Sequence, residues 1–142
     1  LNVFGIQTQK TNVDDGIIDR AAFVKTAEEL KNRFGFKKIA ITLRQSINAD
    51  NNNWSALFYD GKESVFSKIY SIHIVERVGS GDAYALLMQS EHNADFDSNQ
   101  KAVEFASAAS CLKHTIEGDF NQVSVEEVLC LVNSEGTGRV SR

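Results

Sequence analysis

The stretch from residue 17 to residue 43 constrains the fold more than any other. Phe23, Ala27, Leu30 and Phe34 recur at spacings of four, three and four, which lays one apolar stripe along a helix over 17–34. Gly35 follows at once, as a glycine that ends a helix should. Lys38-Ile39-Ala40-Ile41-Thr42-Leu43 then forms a short, continuous apolar run. Such a run suits a strand buried on both faces, and hence a parallel sheet. Helix, glycine stop and buried strand make one half of a βαβ unit.

The segments that follow fit an α/β layered fold. The Asn-rich stretch Asn48 to Asn53 reads as a loop. Trp54 to Tyr59 and Glu63 to Lys68 read as two strands joined by Asp60-Gly61, a pair that favours the positive φ of a tight hairpin. Tyr70, Ile72 and Ile74 alternate with Ser71 and His73, so 69–75 reads as a further strand. From Ala83 the pattern turns helical, over 83 to about 91. Asp97 and Ser98 offer an N-cap for a helix over 99–113 whose apolar face is Ala102, Phe105, Ala106, Ala109 and Leu112. Ser124-Val125-Glu126-Glu127 is a capping box, and Val125, Val128, Leu129 and Val132 continue the last helix. The tail from Gly136 to Arg142 is polar.

Composition removes several function classes. Fifteen Lys and Arg stand against nineteen Asp and Glu, for a net charge of −4. There is no basic run of the kind a nucleic-acid face needs. No stretch is apolar enough over about 18 residues to span a membrane. Cys111 and Cys130 both lie in apolar, helix-like contexts, which predicts two buried thiols in a reducing, cytoplasmic setting. Cys111-Leu112-Lys113-His114 lacks a second ligand pair for zinc, so no metal ligands are assigned and His114 reads as a surface residue.

The chemistry is carried by Val78-Gly79-Ser80-Gly81-Asp82-Ala83-Tyr84-Ala85. It follows an expected strand and opens an expected helix. Glycines let the backbone turn sharply, and the first helical turn adds unpaired N–H donors and a positive dipole end. That concavity suits a phosphate. One reading is a plain turn with Asp82 as helix N-cap. A dinucleotide fingerprint fails, because Tyr84 occupies the third glycine position. The remaining reading is a phosphoryl-transfer site, with the amides on the moving phosphate and Asp82 as base. No Gly-x4-Gly-Lys-Ser/Thr loop is present, so the chain is not a P-loop enzyme.

Gly79-Ser80-Gly81-Asp82 resembles the Gly-Ala-Gly-Asp signature of the ribokinase-like, PfkB-type carbohydrate kinases. Further segments resemble the 2-keto-3-deoxygluconate kinases within that family. They are Ala40 to Ser46, Trp54-Ser55-Ala56, Ile72 to Val78, Lys113 to Asn121, Ser124 to Val128, and Gly138-Arg139-Val140. The likeness runs over nearly the whole chain. It departs where Leu86, Leu87 and Met88 stand in place of small residues.

The resemblance implies the C-terminal portion of a ribokinase-like fold: a mostly parallel sheet with a β-hairpin and flanking helices. Residues 1–142 would then be one partial domain, without the N-terminal sugar-binding half. It implies ATP-dependent phosphorylation of the sugar acid 2-keto-3-deoxygluconate at its C6 hydroxyl, with ATP and Mg²⁺. Asp82 would be the base, and Gly79, Ser80 and Gly81 the anion hole. Thr42, Arg44 and Ser46 would lie along the ATP phosphates, and Ser107, Ala108 and Ser110 would flank the adenine. The partners implied are the small sugar acid and ATP, with no nucleic acid or membrane, and with room for a homo-oligomer through the missing lid region. A fructokinase- or ribokinase-like enzyme, or a nucleotide-binding module without catalysis, stays open.

Overall fold

The computed structural model describes residues 19–89 and 98–134. Within them the order is α1 (Arg20–Phe34), β1 (Ile39–Ser46), β2 (Asn51–Tyr59), β3 (Ser64–Phe66), β4 (Tyr70–His73), α2 (Ser80–Gln89), α3 (Asn99–Lys113) and α4 (Val125–Asn133). The expected roles of Asp97 and of the tail from Gly136 lie outside the described residues, as does the start of the first expected helix.

Helix α1 keeps its expected stripe and its stop at Gly35, and opens at Asp19, an N-cap the sequence reading did not name. Asp19 accepts the Ala22 N–H at 3.1 Å, and Gly35 sits at φ 71° with its N–H on the Lys31 carbonyl at 2.8 Å. Ala27 and Leu30 are buried against Ile39, Leu43 and Leu57, with Phe23 packed beside them. Phe34 ends the stripe in solvent and stacks on Phe36 instead.

The sheet corrects the expectation of mostly parallel strands. Every pairing among the described residues is antiparallel: β1 with β2, β2 with β3, and β2 with β4. β1 is buried on one face only. Ile39 and Leu43 are buried and Ile41 half-buried, while Ala40 and Thr42 face out. Ala and Thr lengthened an apparent apolar run that is really an alternation, and alternation is what an antiparallel edge strand shows. The Asn-rich loop is also shorter than expected. Asn48 accepts the N–H groups of Asp50 and Asn51 at 3.1 and 2.8 Å, and Asn51 to Asn53 already belong to β2.

The β2–β3 hairpin forms at Asp60-Gly61, with Gly61 at φ 92°. The Asp60 carboxylate accepts the N–H groups of Lys62 and Glu63, which holds it below the usual carboxylate range. β3 and β4 run along the same edge of β2. Between them, Ser67 accepts the Ala56 N–H on its hydroxyl at 2.9 Å and donates to the Lys68 carbonyl at 2.8 Å.

Residues opposite each other in an antiparallel pair share a face. Leu57 and its neighbours therefore look to α1, whereas Trp54, Ala56 and Phe58 look to α2 and α3. The result is a sheet covered on both sides. Each fully buried Leu or Phe in these clusters contributes roughly 1.5–3 kcal/mol.

α3 is the central helix, buried continuously from Val103 to Lys113. Ser98 caps its start. Glu104 accepts from the Lys68 N–H at 2.8 Å and the Tyr70 hydroxyl at 2.9 Å. Burial and this carboxylate push the Tyr70 hydroxyl well above its ordinary range. α4 begins with the expected capping box, Ser124 and Glu127 bonding reciprocally at 3.2 and 2.9 Å. Its buried residues are Val128 and Leu131, whereas Val125 and Leu129 are exposed.

Of the two thiols only Cys111 is buried, which pushes it up to about 12; Cys130 is exposed. No helix among the described residues is long and apolar enough to cross a membrane.

Candidate functional site

The turn from β4 into α2 is held from several sides. Ile74 donates its N–H to the Asp50 carbonyl at 2.7 Å. Val75 and Glu76 both donate to the carbonyl of His114, which caps α3, at 2.9 and 3.1 Å. The Glu76 carboxylate then accepts the N–H groups of Arg77 and Val78 at 2.7 and 3.2 Å, which holds it below the usual carboxylate range. The loop is thus fixed before the chemistry-bearing residues begin.

Gly79 lies at φ 80°. A Cβ there would sit 2.5 Å from the Asp119 carbonyl oxygen, so both backbone angle and space exclude a side chain. The Gly79 carbonyl accepts the Ala83 N–H at 2.9 Å, which makes Gly79 the N-cap and Ser80 the first residue of α2. This corrects the expected helix start. Asp82 is not the cap but lies inside the first helical turn, exposed. The early start follows from Gly79, which makes the whole turn and leaves Ser80 free to begin the helix.

The first N–H groups of α2 have no acceptor within the helix and sit at its positive end. Around Gly81 a Cβ would meet nothing within 4 Å. The loop therefore presents an open, donor-rich surface, with Asp82 exposed in the first turn of the helix it opens.

Behind the loop stands the end of α3. Ser110 donates to the Ser80 carbonyl at 2.7 Å, and Ser80 donates to the Arg77 carbonyl at 3.1 Å. Lys113 is fully buried, with Nζ donating to the carbonyls of Gly118 at 2.7 Å and Ile116 at 3.3 Å. His114 is buried too, which corrects its reading as a surface residue. Its Nδ1 meets the Ser110 carbonyl at 2.8 Å and its ring packs edge-on to Trp54, with centroids 4.7 Å apart. Burial, with the positive charges of Lys113, Arg77 and Arg44, holds the imidazole below its ordinary range.

The remaining expected site residues divide. Thr42, Arg44 and Ser46 pair with Ala56, Trp54 and Asn52, so they share the sheet face that meets α3, and all three are exposed. Ser107, Ala108 and Ser110 are fully buried. The Ser107 hydroxyl has no hydrogen-bond partner among the described residues. Sequence reasoning passed over Lys113 as a site residue, because lysine ordinarily marks a solvated face. The one available signal was its place in the Lys113-to-Asn121 segment.

Neither the family models nor the curated proteins give a match to this chain. Solved structures do. The 2-dehydro-3-deoxygluconokinase of Thermotoga maritima aligns with 93% of the chain at 44% identity and a TM-score of 0.79. The chain has the fold of part of a PfkB-type carbohydrate kinase. A PfkB family carbohydrate kinase from Listeria grayi aligns at 24% identity, over 92% of the chain, with a TM-score of 0.71. A candidate 2-keto-3-deoxygluconate kinase from Enterococcus faecalis aligns over 92%, again at 24% identity, with a TM-score of 0.73. The chain covers 38%, 37% and 36% of these three kinases, in the order named. It therefore corresponds to well under half of each.

Proposed function

We propose that these 142 residues form the catalytic-loop and ATP-side portion, one partial domain, of a 2-keto-3-deoxygluconate kinase. The supporting observation is the 44% identity to the Thermotoga 2-dehydro-3-deoxygluconokinase over 93% of the chain. The Gly79–Asp82 loop adds the chemistry. It puts helix N–H donors and an exposed carboxylate side by side, as a phosphoryl-transfer site needs.

In this reading the amides of Gly79, Ser80 and Gly81 hold the γ-phosphoryl group. Asp82 accepts the proton of the C6 hydroxyl as that oxygen bonds to phosphorus. The bond from phosphorus to the β-phosphate oxygen breaks, and ADP leaves with the electron pair. Arg44 is exposed on the face shared with α3, and its guanidinium suits the nucleotide phosphates. Thr42 and Ser46 flank it on the same face of β1. For the adenine side, the orphan Ser107 hydroxyl is the one supporting feature. Ala108 is packed in the core and Ser110 is engaged with Ser80. Mg²⁺ fits as a partner of the nucleotide phosphates, since it ordinarily binds through those and one or two carboxylates. We place the protein in the cytoplasm, with two free thiols as the support.

The test uses the longest natural chain that contains this segment, with ATP, Mg²⁺ and 2-keto-3-deoxygluconate, following ADP release. Asp82→Asn is expected to lower turnover by about 10²–10⁴-fold, the range for a lost general base, with nucleotide affinity unchanged. Near-normal turnover by the variant would sink the assignment of Asp82. A second reading, another sugar kinase of the same fold, is favoured by the 24% identical PfkB neighbour and by the 38% coverage of the Thermotoga chain. Running fructose and ribose beside the sugar acid separates the two.

A further inference from the structure

The largest fully buried side chain among the described residues is a lysine, Lys113. Burying an ammonium group is costly unless it is paired or put to use. The two groups that accept from its Nζ are neutral carbonyls, of Gly118 and Ile116. The Glu76 carboxylate is instead bonded to the N–H groups of Arg77 and Val78. Among the described residues, no direct ion pair cancels the charge of Lys113.

Its location is specific. A Cβ built on Gly79 would lie 3.3 Å from Lys113 Cε and 2.5 Å from the Asp119 carbonyl oxygen. The lysine stem and the turn it holds are thus the floor on which Gly79 rests. From the same end of α3, Ser110 holds the Ser80 carbonyl and the His114 carbonyl holds Val75 and Glu76. We propose that Lys113 is a positioning residue for phosphoryl transfer: it locks the Ile116–Asp119 turn beneath Gly79 and sets a fixed positive charge behind the Gly79–Asp82 loop. This inference rests on the kinase reading. A fixed cation stabilises developing negative charge more than the ground state, because it needs no reorganisation.

The experiment compares wild type, Lys113→Met and Lys113→Gln in the longest natural chain. It measures kcat, the KM for sugar acid and ATP, and the affinity for MgADP with and without aluminium fluoride, which mimics the transferring phosphoryl group. Circular dichroism and thermal unfolding report folding. The expected result is a folded variant with kcat lowered about 10²–10³-fold, the range for one lost stabilising donor. Both KM values and the MgADP affinity should stay within about threefold, while the aluminium fluoride complex weakens in parallel with kcat. A purely structural lysine would not move that last readout selectively. The proposal is overturned by a folded variant with near-normal kcat, or by equal losses of MgADP and aluminium fluoride binding. It is also overturned if neither variant folds, which would assign Lys113 to folding alone. A wild-type protein inactive on every sugar tested defeats the kinase reading instead, and is told apart by that control.

Discussion

His114 shows how one side chain can tie site geometry to solution conditions. It is buried, bonded through Nδ1 to the Ser110 carbonyl and packed on Trp54. Its folded-state pKa is lowered, so the folded protein binds fewer protons than the unfolded chain between the two values. Stability from this group is therefore complete above the unfolded value of about 6.5. It is lost as pH falls from there through the lowered folded value. Urea unfolding at pH 7.5 and pH 5.5 should show the protein less stable at the lower pH. His114→Gln should flatten that difference, and an unchanged slope would count against it. Glu76 and Asp60 are also held low, but their contribution is lost only in more acid solution, below about pH 4. The same residue scale shows what could be read beforehand. Gly79 was legible as the turn that opens α2, because glycine announces turns, whereas Asp82 suggested a helix cap that lies three residues too late. The burial of Lys113 and His114 was not visible, because it depends on which segment covers them.

At the scale of elements, helices were more legible than the sheet. α1, α3 and α4 carry their boundaries in short-range signals: Asp19 and Gly35, Ser98, and the Ser124–Glu127 box. These bonds span three or four residues, so sequence alone contains both partners. Strand direction does not have that property. β1 pairs with β2 over Ile39↔Tyr59 to Ser46↔Asn52, a relation set by a hairpin rather than by the content of either strand. The same limit hid Asn51 to Asn53 in an apparent loop. The capping box gives the element-scale prediction. Ser124→Ala removes the acceptor of the Glu127 N–H and should lower stability by about 1 kcal/mol. A lowered midpoint in urea with an unchanged slope would check it. No change at all would mean that α4 is held by Val128 and Leu131 alone.

At the scale of the molecule, coverage matters most. The chain corresponds to 38% of the Thermotoga kinase and carries the loop, the sheet and the helices that mount it. Phosphoryl transfer depends on holding donor and acceptor together within a narrow geometry. The 142 residues by themselves are therefore expected to show no turnover of sugar acid in the ADP-release assay. On the proposed kinase reading, a longer natural chain that contains them should be active in the same assay. Turnover by the shorter piece would show that the acceptor is bound by residues already present.

The continuous burial of α3 from Val103 to Lys113 has a consequence for how the protein opens. Amide hydrogens exchange with solvent slowest where the last cooperative unit unfolds. α3 packs against the sheet, Tyr84 and α4 at once, so its amides should be among the last to exchange. The segment that mounts the loop would then be the same segment that reports global unfolding. Substitutions that loosen α3 would be read by a cell as lost abundance before they could be read as altered catalysis.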